Sequence, residues 1–358
     1  MHSLESLGWT SFFQQQLDRE RESGLRPARV VEEQRGSFRI RDERGERYAE
    51  LAGRLRHEIG RGEAPNPCVG DWVLALGDAA PGPAVIRRVL ERRSCFSRKE
   101  AGTRTVEQVV AANVDTVFLV QSLNRDLNPR RLERYLALLW ESGAVPVLVL
   151  SKADLCDRID EVVASLEPFT RGIEVLAVSA LTEGGLAPLH PYLLPGSTAA
   201  LVGSSGVGKS TLVNRLLGEE RFEVKEIRED GRGRHTTTSR HLVVLPSGGL
   251  LIDTPGMRTV LLWEGEEGLA RAFEDVEALR ARCRFRDCTH TSEPGCAIRE
   301  ALETGELDAA RYRSYDKLQR EARHEAAKTD IRLRLERARK WRRIHMEARQ
   351  RPDKRRFR

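Results

Sequence analysis

The run Gly203, Ser204, Ser205, Gly206, Val207, Gly208, Lys209, Ser210, Thr211 constrains the fold more than any other stretch. It matches G-x-x-x-x-G-K-[ST] and lies between an apolar run, TAALV, and a helix-like one, KSTLVNRLLG. That context is what a phosphate cradle requires. Glycines let the backbone take positive φ, and the loop N–H groups, with the helix N-terminus, present an anion site. In such a loop Lys209 is expected to reach the β- and γ-phosphates of a nucleotide, and Ser210 to ligate Mg²⁺. A strand feeding a helix in this way implies an α/β domain built on a parallel sheet with both faces covered. The surrounding text agrees. VDTVFLVQS, VPVLVLS and IEVLAVSA are strand-length apolar runs, separated by the helix-like PRRLERYLALLWESG and DRIDEVVASLEPF and followed by GLAPLHPYLL. HLVVLPSGGLLIDTPG adds two strands joined by a Ser-Gly-Gly turn.

Ser151, Lys152, Ala153 and Asp154 end the strand VPVLVL. Guanine presents a ring N–H and an exocyclic amine side by side, and one carboxylate can accept from both, whereas adenine offers no such pair. Asp154 is placed for that role, and the Lys152 stem can cover the base face. Ser179 and Ala180, at the end of the next strand, are expected to bring a backbone N–H to the base carbonyl. Asp253-Thr-Pro-Gly256 closes another apolar strand. There Asp253 can hold Mg²⁺ through its water shell, and the Gly256 N–H can meet the γ-phosphate. Between these lies RGRHTTTSR (232–240), a loop whose threonines can close over Mg²⁺ and the γ-phosphate. The base readers thus precede the phosphate loop, with the threonine loop and Asp253-Thr-Pro-Gly256 last. A parallel sheet permits that order if its usual ends are joined and new ones opened, so the expectation is a circular permutation.

Residues 25–105 read differently. ARVV, SFRIRD, RYAELA, DWVLALG and AVIRRVLE are five short β-like runs parted by turns, which suggests a small barrel of the oligonucleotide-binding type, structural or binding. Residues 1–24 are polar without a sustained period and read as a loose extension. Cys283, Cys288, His290 and Cys296 fall within fourteen residues and supply a full Cys3His set for one structural, tetrahedral zinc. Such a metal would hold a segment too small for its own core. The formal charge of +6 is unevenly placed: residues 311–358 carry 19 Lys/Arg against 7 Asp/Glu, leaving 41 against 47 elsewhere. A tail of that kind is either a site for a polyanion such as nucleic acid or a solvated helical face. The N-terminus lacks a basic cap followed by an apolar stretch, and no apolar run approaches the ~18 residues of a membrane span. A cytoplasmic protein without a membrane partner is expected.

The permuted order, RHTTT, DTPG, VGDWV in the barrel ahead and CRFRDCTHTSEPGCAIRE behind closely resemble the RsgA (YjeQ) family. The resemblance implies an oligonucleotide-binding barrel, a permuted P-loop GTPase and a zinc domain. It also implies GTP hydrolysis stimulated by the small ribosomal subunit during its late maturation, with rRNA contact. The expected domains are 25–105, 106–270 and 271–320, with a basic helical tail over 321–358, in a monomer. By the same resemblance Thr237 looks like a Mg²⁺ ligand, with its neighbouring threonines as alternatives. One departure stands out: Ser151 occupies the position where the family usually has Asn, and Ser lacks an amide to bond both base and phosphate loop. Met257 follows Gly256, where Ras-like enzymes keep a water-orienting glutamine close by. The nearest candidate for that work is His235, which resembles the family's proposed catalytic histidine; the other reading is a histidine that packs or contacts rRNA. A competing functional class is an RNA-binding zinc protein whose nucleotide domain switches and hydrolyses little.

Overall fold

A computed structural model of the chain describes residues 3–34, 36–77, 82–99, 107–123, 127–220, 240–253 and 266–324. Five strands of the N-terminal part, β1 (Arg26–Gln34), β2 (Ser37–Asp42), β3 (Gly45–Leu51), β4 (Trp72–Leu76) and β5 (Ala84–Val89), close in the order β1-β2-β3-β5-β4-β1. Only the β3–β5 contact is parallel. Alternate residues point inward, so Ala28, Val30, Phe38, Ile40, Val73, Ala75 and Ile86 fill the barrel. Ala52 and Leu55, at the start of helix α2 (Gly53–Gly60), join that core. All five strands were legible as short apolar runs; α2 was not.

The second part is a six-stranded sheet. Its strands are β8 (Thr116–Ser122), β9 (Val145–Ser151), β10 (Glu174–Ala177), β11 (Thr198–Gly203), β12 (Arg240–Val244) and β13 (Leu250–Asp253), in the order β10-β9-β8-β11-β13-β12. All neighbours are parallel except β13–β12. β8 and β11 are buried along their whole length, which explains their unbroken apolar text. Consecutive residues feed opposite layers. Val117, Leu119, Ala200 and Val202 pack beneath helix α3 (Pro129–Glu141), while Phe118, Val120, Ala199 and Leu201 pack with Leu212 and Val213 of helix α5 (Lys209–Leu217). Helix α4 (Ile159–Leu166) follows β9, whereas GLAPLHPYLL forms only a 3-10 turn over Ala187–Tyr192, with prolines 188 and 191 inside it.

The two parts are joined rather than strung together. A bulge between Val30 and Glu32 redirects β1, whose first half pairs with β4 and whose end pairs with β12 through Glu32↔His241 and Glu33↔Arg240. A separate hairpin, β6 (Cys95–Lys99) with β7 (Glu107–Ala112), spans the expected boundary at residue 105. The N-terminal residues are not loose. They form helix α1 (Ser11–Asp18), and Leu7, Trp9 and Phe13 are buried in the main core, with Trp9 edge-on to Trp72 at 4.7 Å. Leu7, Trp9 and Phe13 are too few to register as a period, yet each is buried in the core.

Helices α6 (Glu266–Ala272), α7 (Glu274–Ala281), α8 (Ala297–Thr304) and a last one over 309–324 complete the described chain. The last helix crosses the expected boundary at 320. These helices do not stand apart, because Phe273, Val276, Ile298, Tyr315 and Leu318 share one core with α3. On α3 the fully buried Glu133 accepts from Arg311 at 3.0 Å and from the Ser314 hydroxyl, while Asp275 grips Arg311 at 2.6 and 2.7 Å. Arg134 makes a two-point contact with Glu321 at 2.6 and 3.0 Å.

Arg29 is buried where barrel, sheet and N-terminus meet. Its guanidinium donates to the carbonyls of Gly70 (3.2 Å), Asn113 (2.9 Å) and Leu7, and to the Thr198 hydroxyl (2.9 Å). Arg29→Ala strands those acceptors away from water, so the unfolding midpoint in urea should fall by the equivalent of about 3–5 kcal/mol. Arg29→Lys should recover only part of that, because an ammonium cannot reproduce the planar fork. An unchanged midpoint for Arg29→Ala would show that Arg29 does not hold the parts together.

Candidate functional site

The phosphate-type loop joins β11 to α5. Gly203, Gly206 and Gly208 have φ of 158°, 84° and 94°. A Cβ on Gly203 would lie 2.3 Å from the Val120 carbonyl oxygen of β8, so close strand packing as well as backbone conformation requires glycine there. Lys209 is nearly buried, and its ammonium donates to the carbonyls of Gly203 (2.9 Å) and Ser204 (2.8 Å). The side chain expected to reach phosphates is thus folded back onto its own loop.

Ser151 and Lys152 lie against this loop, although more than fifty positions separate them from their partners in sequence. The Ser151 hydroxyl donates to the Val207 carbonyl at 2.6 Å and lies 3.3 Å from that of Gln121. Lys152 adopts a left-handed backbone (φ 60°), and its ammonium donates to the Gly206 carbonyl at 3.1 Å. Serine therefore keeps a tie to the phosphate loop that its missing amide seemed to forfeit. Asp154 Oδ1 accepts from the Ser179 hydroxyl at 2.5 Å, which joins the ends of β9 and β10. The Ala153 N–H donates to Val178 and the Ser179 N–H to Gly185, both at 3.1 Å. Among the described residues none accepts from the N–H of Ala180.

Asp253 ends β13, next to Leu201 of β11. Burial pushes its carboxyl up to about 6, and the nearby Lys209 charge works against that rise. A buried carboxylate beside a lysine, at the carboxyl end of a central strand, is a site prepared for a further cation. Gly256, His235, Thr237 and Met257 lie outside the described residues, as does the tail beyond 324.

The side chains of Cys283, Cys288, His290 and Cys296 converge so that all four donor atoms lie within 4.8 Å of one another. His290 Nδ1 is 3.6 Å from the Cys283 sulfur and 3.4 Å from that of Cys296. His290 takes φ 61° to turn its ring inward. Tetrahedral zinc with sulfur and imidazole ligands has donor–donor edges of about 3.5–3.8 Å, so the donor set fits a metal of that kind. Burial disfavours the Cys283 thiolate, yet the N–H groups of Ile298 and Ala297, at the start of α8, together with the neighbouring Cys288 and Cys296 side chains, hold its pKa below the usual thiol value.

One contact escaped the sequence. Arg131, in the first turn of α3, donates to the Ser204 hydroxyl of the loop at 2.8 Å. An arginine near a helix start carries no motif, and its partner is 73 positions away.

A glycine-rich loop between a parallel strand and a helix, with a carboxylate at the neighbouring strand end and Lys-x-Asp supplied from earlier in the chain, defines a P-loop nucleotide-binding domain in circularly permuted order. Residues 89–263 match the family described as RsgA GTPase. A protein of Opitutus terrae, "Small ribosomal subunit biogenesis GTPase RsgA", is 46% identical over 360 residues, covering 98% of each chain. The crystal structure of YjeQ from Thermotoga maritima superposes with a TM-score of 0.61 at 30% identity, covering 83% of this chain and 98% of that one. That of YloQ, titled a circularly permuted GTPase, shares the fold at 24% identity with a TM-score of 0.58, covering 85% and 98%. The chain belongs to the RsgA GTPase family and is a GTP-hydrolysing enzyme.

The raised pKa of Asp253 has a sign that can be tested. An acid whose folded pKa (about 6) exceeds its ordinary 3.8 binds its proton more tightly when folded. Stability therefore falls as pH rises from about 4 to about 6 and stays lowered above that. Asp253→Asn should stabilise the nucleotide-free, magnesium-free protein at pH 7–8 by about 2–3 kcal/mol at most, and the gain should vanish toward pH 4. Thermal melts of both proteins across pH 4–8 check this; a pH-independent difference would rule it out.

Proposed function

We propose that this chain hydrolyses GTP to GDP and phosphate on the small ribosomal subunit, late in that subunit's maturation, and that subunit binding stimulates turnover. The observation that carries the reading is the joining of residues 151–154 to the phosphate loop through the Ser151 and Lys152 bonds to Val207 and Gly206. Base and phosphate recognition become one continuous cleft that a guanine nucleotide can span.

In this reading Asp154 accepts from the ring N–H and amine of guanine, and the Ser179 hydroxyl holds the carboxylate in place. The Lys152 stem covers the base, and Ala153, Ser179 and Ala180 line its edge. Gly203, Ser204, Ser205, Gly206, Val207, Gly208 and Thr211 wrap the phosphates with their N–H groups, and Lys209 meets the β- and γ-oxygens. Mg²⁺, when bound with GTP, neutralises developing charge on those oxygens; Ser210, Asp253 and Thr237 are its candidate holders. The Gly256 N–H is the candidate donor to the γ-phosphate. His235 is the candidate to orient the attacking water, whose oxygen bonds to γ-phosphorus as the bond to the β–γ bridging oxygen breaks. The basic tail and the cysteine segment supply contacts to rRNA phosphates. A monomer working in the cytoplasm without a membrane partner follows from that role.

Hydrolysis of GTP and ATP, with and without purified small subunits, tests the reading. GTP alone should be turned over appreciably, and faster with subunits. Asp154→Asn should lose roughly a hundredfold in kcat/KM for GTP, since two charge-assisted bonds are removed, and should gain for xanthosine triphosphate, whose 2-oxo group accepts from the new amide. His235→Ala should lower kcat in the subunit-stimulated reaction. Equal use of ATP and GTP, or full stimulated turnover in His235→Ala, would remove the corresponding assignment.

The Cys3His cluster is proposed to hold one structural zinc, with no position left open for chemistry. Elemental analysis of protein purified without chelator should find about one zinc per chain. Cys288→Ser should lower that content and the melting temperature together. Full thermal stability in a zinc-free sample would argue against a structural metal.

A further inference from the structure

Arg131 belongs to none of the motifs that bind nucleotide, yet it touches the phosphate loop directly. Its backbone is set by the helix start: Pro129 opens α3, and the Asn128 side chain caps it by accepting from the Arg131 N–H at 3.1 Å. From there Nη1 reaches the Ser204 hydroxyl at 2.8 Å. Ser204 is itself nearly buried, and its carbonyl accepts from the Lys209 ammonium at 2.8 Å. One loop residue is therefore held by two cations, the guanidinium on its side chain and the ammonium on its backbone.

The two bonds fix different atoms of the residue. The Lys209 ammonium has three N–H donors, so giving two to the carbonyls of Gly203 and Ser204 does not preclude a bond to a phosphate oxygen. The Arg131 contact uses the Ser204 hydroxyl and leaves the loop N–H groups and the Lys209 ammonium to the nucleotide. Its mount is rigid. The inner face of α3 buries Leu132, Tyr135, Leu136 and Leu139, and Glu133 is bonded to Arg311 of the last helix. A guanidinium remains charged at any working pH, so the grip does not fade with protonation.

We propose that Arg131 is a positioning residue for GTP hydrolysis, holding Ser204 so that the phosphate loop stays shaped for the nucleotide. This rests on the reading of Gly203–Thr211 as the phosphate loop. Loop shape serves ground state and transition state alike, so the effect falls on KM more than on kcat.

The test is steady-state GTP hydrolysis with small subunits by the full-length chain, alongside its melting temperature. The variants are Arg131→Ala, Arg131→Lys, Ser204→Ala and the Arg131→Ala/Ser204→Ala double, with Lys209→Ala as control. Arg131→Ala and Ser204→Ala should each raise KM about tenfold, the scale of one charge-assisted bond, with kcat changing far less. The double variant should be no worse than either single one, because both remove the same contact. Arg131→Lys should recover part of the loss. An unchanged KM in Arg131→Ala, even with a lowered melting temperature, overturns the proposal, as does a double variant whose effects multiply. Intact turnover in Lys209→Ala overturns the phosphate-loop reading itself, and the proposal with it.

Discussion

The architecture depends on one buried guanidinium. Arg29 contributes from the barrel strand β1, yet its acceptors come from the N-terminal turn, the loop before β4, the end of β7 and the first residue of β11. Burial pulls its pKa down to about 10, with Asp115 and Asp71 opposing that fall and Arg93 adding to it, so the group is still charged at neutral pH. A charge so enclosed is tolerable only with its N–H groups paired, and the pairing specifies one arrangement of the parts. Since β11 leads straight into the phosphate loop, the barrel and the nucleotide cleft share a fixed frame.

Helix α3 plays a comparable part on the other side. Its buried face packs on the sheet, its first turn touches Ser204, and its charged residues Glu133 and Arg134 bind the last helix. The cysteine segment therefore draws on the main core as well as on any metal. Helix α3 thereby links the phosphate loop to the last helix through side chains rather than through chain continuity.

What was legible in the sequence was local. The phosphate loop, Lys152-x-Asp154 and the Cys283–Cys296 cluster are spelled by neighbours, because each must place several groups within a few ångströms. Strands β8, β9 and β11 showed as apolar runs because both faces are buried. What was hidden depends on distant pairing. Trp9 and Phe13 looked like stray aromatics in a polar stretch until Trp72 gave them a partner. The β6–β7 hairpin lacked a turn signature that marked it, and GLAPLHPYLL has helical periodicity that its prolines hold to a 3-10 turn. Ser151 lacks the amide, but its hydroxyl finds the Val207 carbonyl across fifty-six positions. The arginines carry no such signal: Arg29, Arg131 and Arg311 are each central, and nothing in their neighbours distinguishes them from the many on the surface.

The short pairing of β1 with β12 has a consequence for how the molecule meets its own kind. An open sheet ordinarily offers two unpaired borders, each a template for a foreign strand. Here the barrel is zipped along part of one border at Glu32 and Glu33, so an incoming chain would have to unfasten the barrel to dock there. The remaining border, β10, is four residues long and begins with an exposed glutamate, which makes it a poor template. A crowded solution thus finds little on this sheet from which to nucleate a fibril.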